Sequence, residues 1–273
     1  MKQFLGFVAL AGLAAGCVPW GTPERLNEYT TVDQVLNAGE EPCYVNLTGA
    51  GLDTLPDALL TLPHIRKLSL RGNRPGAMPD GIGRLDELAW LDASEMQLER
   101  LPPSLGNLRQ LEILYLSDNR LDSVPDAVLD LQALRYLNLD RNRFESIPDA
   151  VCGLAGLRWL RMNANKLTSV NPNIGRLAVL QRLYLAGNEL TALPPGISQL
   201  TELTDLVLDG NKLTALPPEL CKMEKLERLD LQRNQLTALP ADIGRLERLQ
   251  WLRLAVNRIS QDEKDRLRKA LPD

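Results

Sequence analysis

The chain has 273 residues, which by length alone would suggest about two domains. Its net charge of −4 gives no support for a nucleic-acid partner. A single histidine, His64, argues against imidazole-based catalysis and His-rich metal sites.

The first segment reads MKQFLGFVALAGLAAGC. Lys2 supplies a positive start, and an apolar run follows over 4–15. That run is shorter than the roughly 20 residues a membrane-spanning helix needs. Small residues Ala14, Ala15 and Gly16 then precede Cys17, the layout of a secretory signal. The cleavage site is similar to the bacterial lipobox, although the favoured Leu stands one place early, at Leu13, with Ala14 in its slot. The resemblance implies cleavage before Cys17 and lipid on that cysteine, hence a membrane anchor. An ordinary secretory signal with Cys17 free or paired is the alternative. In lipoproteins of this kind an Asp after the cysteine favours the inner membrane. Val18 stands there, so the outer membrane is the expected location. Residues 1–16 are therefore expected to be the signal. Residues 17–26, with Pro19, Gly21 and Pro23, are expected to form a tether of at most about 30 Å. Trp20 would sit at the membrane interface or against the cap.

An amino-terminal cap is expected over 27–44. Val32, Val35 and Leu36 have helical spacing behind Thr31, a suitable N-cap, and Gly39 and Pro42 end the helix. The segment 43–47 reads as the first strand. From there the pattern LxxLxxLxLxxNxLxxLPxxIGx returns every 23 residues, with strand leucines at Leu68, Leu91, Leu114, Leu137, Leu160, Leu183, Leu206, Leu229 and Leu252. A fixed period of this size means a solenoid over 45–259. Each unit packs on its neighbours, so the array is one long core rather than two domains.

These repeats resemble the leucine-rich-repeat family, in its 23-residue LPxxIGxL class. The resemblance implies an α/β leucine-rich-repeat solenoid: a curved right-handed coil with a parallel β-sheet on its concave face. It also implies an extended or short-helical convex side, helical caps, and non-covalent binding through the concave face. The residues agree. The LxL alternation turns leucines to the core and leaves the residues between them outside. The asparagines (Asn73, Asn119, Asn142 and onward to Asn257) can satisfy backbone groups where the chain leaves the sheet. Proline at the LP position forces an extended return. The pattern breaks at Pro75, Ala93 and Met96, and again at Asn171; these breaks read as drift that loosens the array. After Ile259 the register fails. Ser260 begins a carboxy-terminal helical cap over 260–273, with Leu267, Ala270 and Leu271 turned to the last repeat.

Cys152 and Cys221 stand in the Gly slot of the IG pair, three repeats and so about 14 Å apart, beyond the ~7 Å reach of a disulfide. With Cys43 they are expected to be free thiols. No Gly-rich phosphate loop and no nucleophile–base pairing appears, so no enzymatic activity and no cofactor are expected.

Seven of the twelve aromatics fall in the two outward strand slots: Tyr44, Trp90, Tyr115, Tyr136, Trp159, Tyr184 and Trp251. Five consecutive repeats contribute Trp90, Tyr115, Tyr136, Trp159 and Tyr184, with Ile113 among them. Arg161, Arg182, Asp92 and Asp140 border them. Trp, Tyr and Arg are the residues most enriched at binding hot spots. The expected partner-binding face is therefore Trp90, Tyr115, Tyr136, Trp159, Arg161, Arg182 and Tyr184, centred on Tyr136 and Trp159. On that reading, alanine at both central residues abolishes binding and leaves the thermal midpoint nearly unchanged. The other reading is cross-strand stacking that only stabilises the sheet. The expected partner is a protein; a glycan is possible, because aromatic rows also stack on sugars. The whole would be a monomeric, lipid-anchored binding protein of the bacterial cell envelope, or, without a ligand, a structural spacer.

Overall fold

A computed structural model describes residues 26–37 and 43–271. The expected signal, Cys17, Trp20, the tether up to residue 25, Gly39 and Pro42 lie outside the described residues.

The LxL units form short parallel strands. After β1 (Asn27–Tyr29) come β2 (Cys43–Asn46), β3 (Ile65–Ser69), β4 (Trp90–Asp92), β5 (Ile113–Tyr115), β6 (Tyr136–Asn138), β7 (Trp159–Arg161), β8 (Arg182–Tyr184), β9 (Asp205–Val207), β10 (Arg228–Asp230) and β11 (Trp251–Arg253). They make one eleven-stranded sheet in sequence order, each strand parallel to the next. The 23-residue register holds strand by strand, as in Leu137 opposite Leu160 and Leu160 opposite Leu183. Leu91, Leu160, Leu183, Leu206 and Leu229 are wholly buried, as the alternation requires.

On the far side the LP-position prolines from Pro79 to Pro217 are extended, for example Pro102 (φ −73°, ψ 145°), and most lead into a short 3-10 turn such as Pro103–Asn107. Where the slot of the IG pair holds glycine, successive turns nearly touch. A Cβ on Gly106 would stand 2.2 Å from the carbonyl oxygen of Ala127.

The asparagine column carries the turn off the sheet, and its bonding repeats without exception. Each amide oxygen accepts the backbone N–H of the residue 21 positions earlier: Asn73 from Leu52, Asn119 from Leu98, Asn142 from Leu121, Asn165 from Phe144, Asn188 from Leu167, Asn211 from Leu190, Asn234 from Leu213 and Asn257 from Leu236. Each amide nitrogen donates to the carbonyl 26 positions earlier, as Asn188 does to Met162 at 2.9 Å. Buried backbone groups are thereby paired across repeats.

That rule gives the break at Pro75 and Met96 a physical account. Met96 stands in the asparagine column and has no amide oxygen to offer. The residue 21 positions earlier is Pro75, which has no N–H to satisfy. Acceptor and donor are lost together. Met96 and Ala93 are wholly buried in the continuous core. The carbonyl of Leu70, which an asparagine at 96 would also have served, keeps the Asn73 amide at 2.7 Å, as the Leu116 carbonyl keeps that of Asn119. A surface cleft of about 270 Å³ lies at this break, lined by Arg74, Gly76, Met96, Gln97, Glu99 and Arg120. Asn171 is likewise tied in: its side chain donates to the Ile147 carbonyl and accepts from the Asn173 N–H. The far-side segment one repeat before it is a single α turn, α2 (Asp149–Cys152).

The caps close both ends. Thr31 accepts from the Gln34 N–H and starts α1 (Val32–Leu36), as its sequence predicts. The segment 43–47 is the second strand rather than the first, because β1 pairs ahead of it, Asn27 opposite Cys43. Three residues are too few to show a strand period. At the other end α3 (Gln261–Ala270) starts at Ser260, which accepts from the Glu263 N–H. Leu267 is buried, and Ala270 and Leu271 pack on the core. A polar clasp adds to this: Arg266 donates to the Leu239 carbonyl and Glu263 accepts from the Leu239 N–H.

Candidate protein-binding face

The strands present two outward residues each, and the aromatic ones meet across repeats. Ring centroids run Tyr44–Trp90 6.0 Å, Trp90–Tyr115 5.7 Å, Tyr115–Tyr136 4.9 Å, Tyr136–Trp159 5.0 Å and Trp159–Tyr184 5.7 Å. These separations follow the ~4.8 Å spacing of neighbouring strands, which brings rings into edge or tilted contact. Tyr44 and Trp90 are two strands apart and lean together over Lys67. The row zigzags: Trp90, Tyr136 and Trp159 use the first outward slot, Tyr115 and Tyr184 the second.

All seven expected site residues therefore lie on one face, and the five aromatics among them form one uninterrupted stack. Their accessibility differs from the sequence expectation. Tyr136 and Trp159, the expected centre, are only 4% and 9% exposed, because rings on both sides and arginines above cover them. Trp90, Tyr115 and Tyr184 are half-buried. The Arg182 guanidinium lies 4.7 Å over Trp159, and that of Arg161 5.6 Å over Tyr184. The Trp159 Nε1–H is enclosed without an acceptor, a polar cost carried by the stack. Removing Tyr136 and Trp159 together thus cannot leave the thermal midpoint unchanged.

Burial pushes the phenols of Tyr115, Tyr136 and Tyr184 above the ordinary tyrosine value, so they remain neutral hydrogen-bonding groups. Beneath the stack Asp140, 1% exposed, binds the Arg161 guanidinium at 2.6 Å and accepts the Asn163 N–H at 2.7 Å. Asp92 accepts the Ser94 N–H at 2.9 Å, and burial raises its carboxyl above the usual range.

Beyond Tyr184 the face changes character. Asp205 stands between Arg182 at 3.7 Å and Arg228 at 3.4 Å, and Asp230 meets Arg253 at 3.5 Å. Trp251 is 53% exposed, with the Arg228 guanidinium 6.0 Å from its ring. Arg228, Arg253, Asp205 and Asp230 were not singled out by sequence reasoning. The available signal was their alternating charge in the outward slots. Cys43, Cys152 and Cys221 are buried free thiols, and burial pushes Cys152 up to about 12. Such thiols are unreactive at neutral pH.

Two repeat families match the chain: the leucine-rich repeat region over residues 145–271 and the leucine rich repeat over 109–167. Together they cover residues 109–271, and the fold is that of a leucine-rich-repeat solenoid. Neither family carries a catalytic activity, and leucine-rich-repeat proteins are generally binding scaffolds. No curated protein matches the chain in sequence. Solved structures extend the likeness. The receptor kinase HAESA of Arabidopsis, in complex with the peptide hormone IDA and the co-receptor SERK1, is 31% identical with a TM-score of 0.62. That match covers 72% of this chain and 35% of HAESA. The ectodomain of GASSHO1/SCHENGEN3 from Arabidopsis thaliana, in complex with CASPARIAN STRIP INTEGRITY FACTOR 2, is 29% identical (TM-score 0.65), covering 76% of this chain and 29% of that one. InlJ of Listeria monocytogenes is 25% identical (TM-score 0.66), covering 79% and 45%. The leucine-rich-repeat chain thus spans less than half the length of each.

Proposed function

We propose that the protein is a non-catalytic binding module that recognises a protein partner through its concave face. The observation that carries this is the placement of aromatic and arginine side chains in consecutive outward slots of one sheet. No folding rule demands aromatics on that side, and Trp, Tyr and Arg dominate binding hot spots. Two leucine-rich-repeat structures similar to this chain hold peptide or protein ligands, which supports the same use here. Tyr136 and Trp159 act as the rigid floor, while Trp90, Tyr115, Tyr184, Arg161 and Arg182 make the contacts. A floor of interlocked rings presents its surface already ordered, so little conformational entropy is lost on binding. The module is held at the bacterial envelope by lipid on Cys17, at the outer membrane rather than the inner.

The test is retention of a ligand from envelope extract by wild type beside Tyr184→Ala/Trp251→Ala. A protein retained by the first and lost by the second, with the variant folded, supports the reading. Retention that soluble oligosaccharide competes away would replace the protein with a glycan. Labelling cells with radioactive palmitate tests the anchor; incorporation that persists in Cys17→Ala would exclude it.

A further inference from the structure

The two signs of charge on the carboxy-terminal half of the concave face differ in height. The carboxylates Asp140, Asp205, Asp209 and Asp230 lie low, with side chains no more than 16% exposed. The arginines that pair with them, Arg161 with Asp140, Arg182 and Arg228 with Asp205, Arg233 with Asp209 and Arg253 with Asp230, stand above, at 29–66%. Aspartate is short and arginine long, so each ion pair stands upright with its cation outward.

The lower groups are also engaged. Asp205 accepts the Thr204 hydroxyl at 2.8 Å, and Asp230 accepts the Gln232 N–H at 3.2 Å. The upper groups are loosely held. Arg182, Arg228 and Arg253 meet their carboxylates at 3.4–3.7 Å, longer than the ~2.8 Å of a well-formed charged hydrogen bond. A guanidinium offers five N–H donors, so most of theirs are open to a second anion. Between them lie Tyr184, Val207 and Trp251, which supply apolar contact.

We propose, building on the protein-binding reading above, that this half of the face takes an acidic segment of the partner protein, laid extended across β7 to β11. Its Asp or Glu side chains bind Arg182, Arg228 and Arg253, and an apolar or aromatic residue rests on Tyr184 or Trp251. Four strand steps of ~4.8 Å make a track of about 19 Å, which about six extended residues span. A short acidic segment is favoured over a phosphate polymer by charge. The chain as a whole is at −4, which repels a long polyanion, whereas a short segment feels the arginines within a screening length of ~10 Å.

The test selects a displayed library of random peptides, each about twelve residues or twice the track, on the purified protein. The expected winners are acidic with an aromatic residue. Their affinity should fall about tenfold or more in Arg182→Gln/Arg228→Gln. In Asp205→Asn, which removes the anion competing for both arginines, it should rise about threefold. Neutral or basic winners overturn the charge inference. So does an Asp205→Asn variant of unchanged thermal midpoint that binds no better than wild type. If such winners are still lost in Tyr184→Ala/Trp251→Ala, the protein-binding reading stands without it. No enrichment on wild type overturns both.

Discussion

The two halves of the concave face use the same strand slots for different ends. From β2 to β8 the outward residues are consumed by one another. Six rings form one stack, and beside it Asp140 is buried against Arg161. From β9 to β11 the same slots hold Asp205, Arg228, Asp230, Trp251 and Arg253, whose ion pairs are longer and whose arginines and tryptophan stay open to solvent. An outward position in a solenoid is thus not an exposed one. Strands ~4.8 Å apart let a large ring bury its neighbour, whereas a short Asp leaves the Arg beside it exposed.

The largest test of this contrast compares two tryptophans by urea unfolding. Trp159→Ala removes a ring packed on both sides and should cost about 3 kcal/mol. Trp251→Ala, at the exposed end, should cost less than ~1 kcal/mol. Equal effects would erase the distinction between the halves. Next in size is the ion-pair comparison. Arg161→Gln leaves Asp140 buried without its partner and should cost about 2 kcal/mol, less than a fully sealed pair because the guanidinium reaches solvent. Arg253→Gln should fall within about 0.5 kcal/mol, as exposed pairs do.

A pH series sharpens the account of the aromatic half. Burial raises the Asp92 carboxyl, so the folded state holds its proton more tightly than the unfolded one. Ionisation therefore costs stability as pH rises through the folded value. Asp92→Asn keeps the oxygen that accepts from Ser94, as Asn138 does for Asp140 in the same slot. The variant should have a higher thermal midpoint than wild type at neutral pH. The gap should close as pH falls toward the ordinary carboxylate range; a gap independent of pH would assign it to packing instead.

The smallest effect lies in the last repeat. The residue before the asparagine column has positive φ throughout, and four repeats place glycine there. Val256 holds φ 57°, a strained choice for a β-branched residue. Val256→Gly should raise stability by up to ~1 kcal/mol in thermal unfolding, against the cost of a more flexible unfolded chain. A lower midpoint would mean that the valine is held by contact.

Much of this was legible in the chain. The 23-residue period determined the parallel sheet, its register and its leucine core, because each residue in such an array meets its counterparts one period away. The asparagine column, the extended prolines, the Thr31 and Ser260 caps and the membership of the aromatic row followed from local chemistry repeated in phase. What the tertiary structure decided concerns relations across repeats. β1 is too short to announce itself, and it forms only because β2 offers an edge. The cancellation between Pro75 and Met96 is visible only once the amide at one position is known to serve the N–H 21 residues earlier. Burial of Tyr136 and Trp159 likewise depends on where neighbouring rings and arginines come to rest. A periodic sequence specifies which residues become neighbours. How far each covers the other depends on side-chain size and direction, and those are settled only when the strands have stacked.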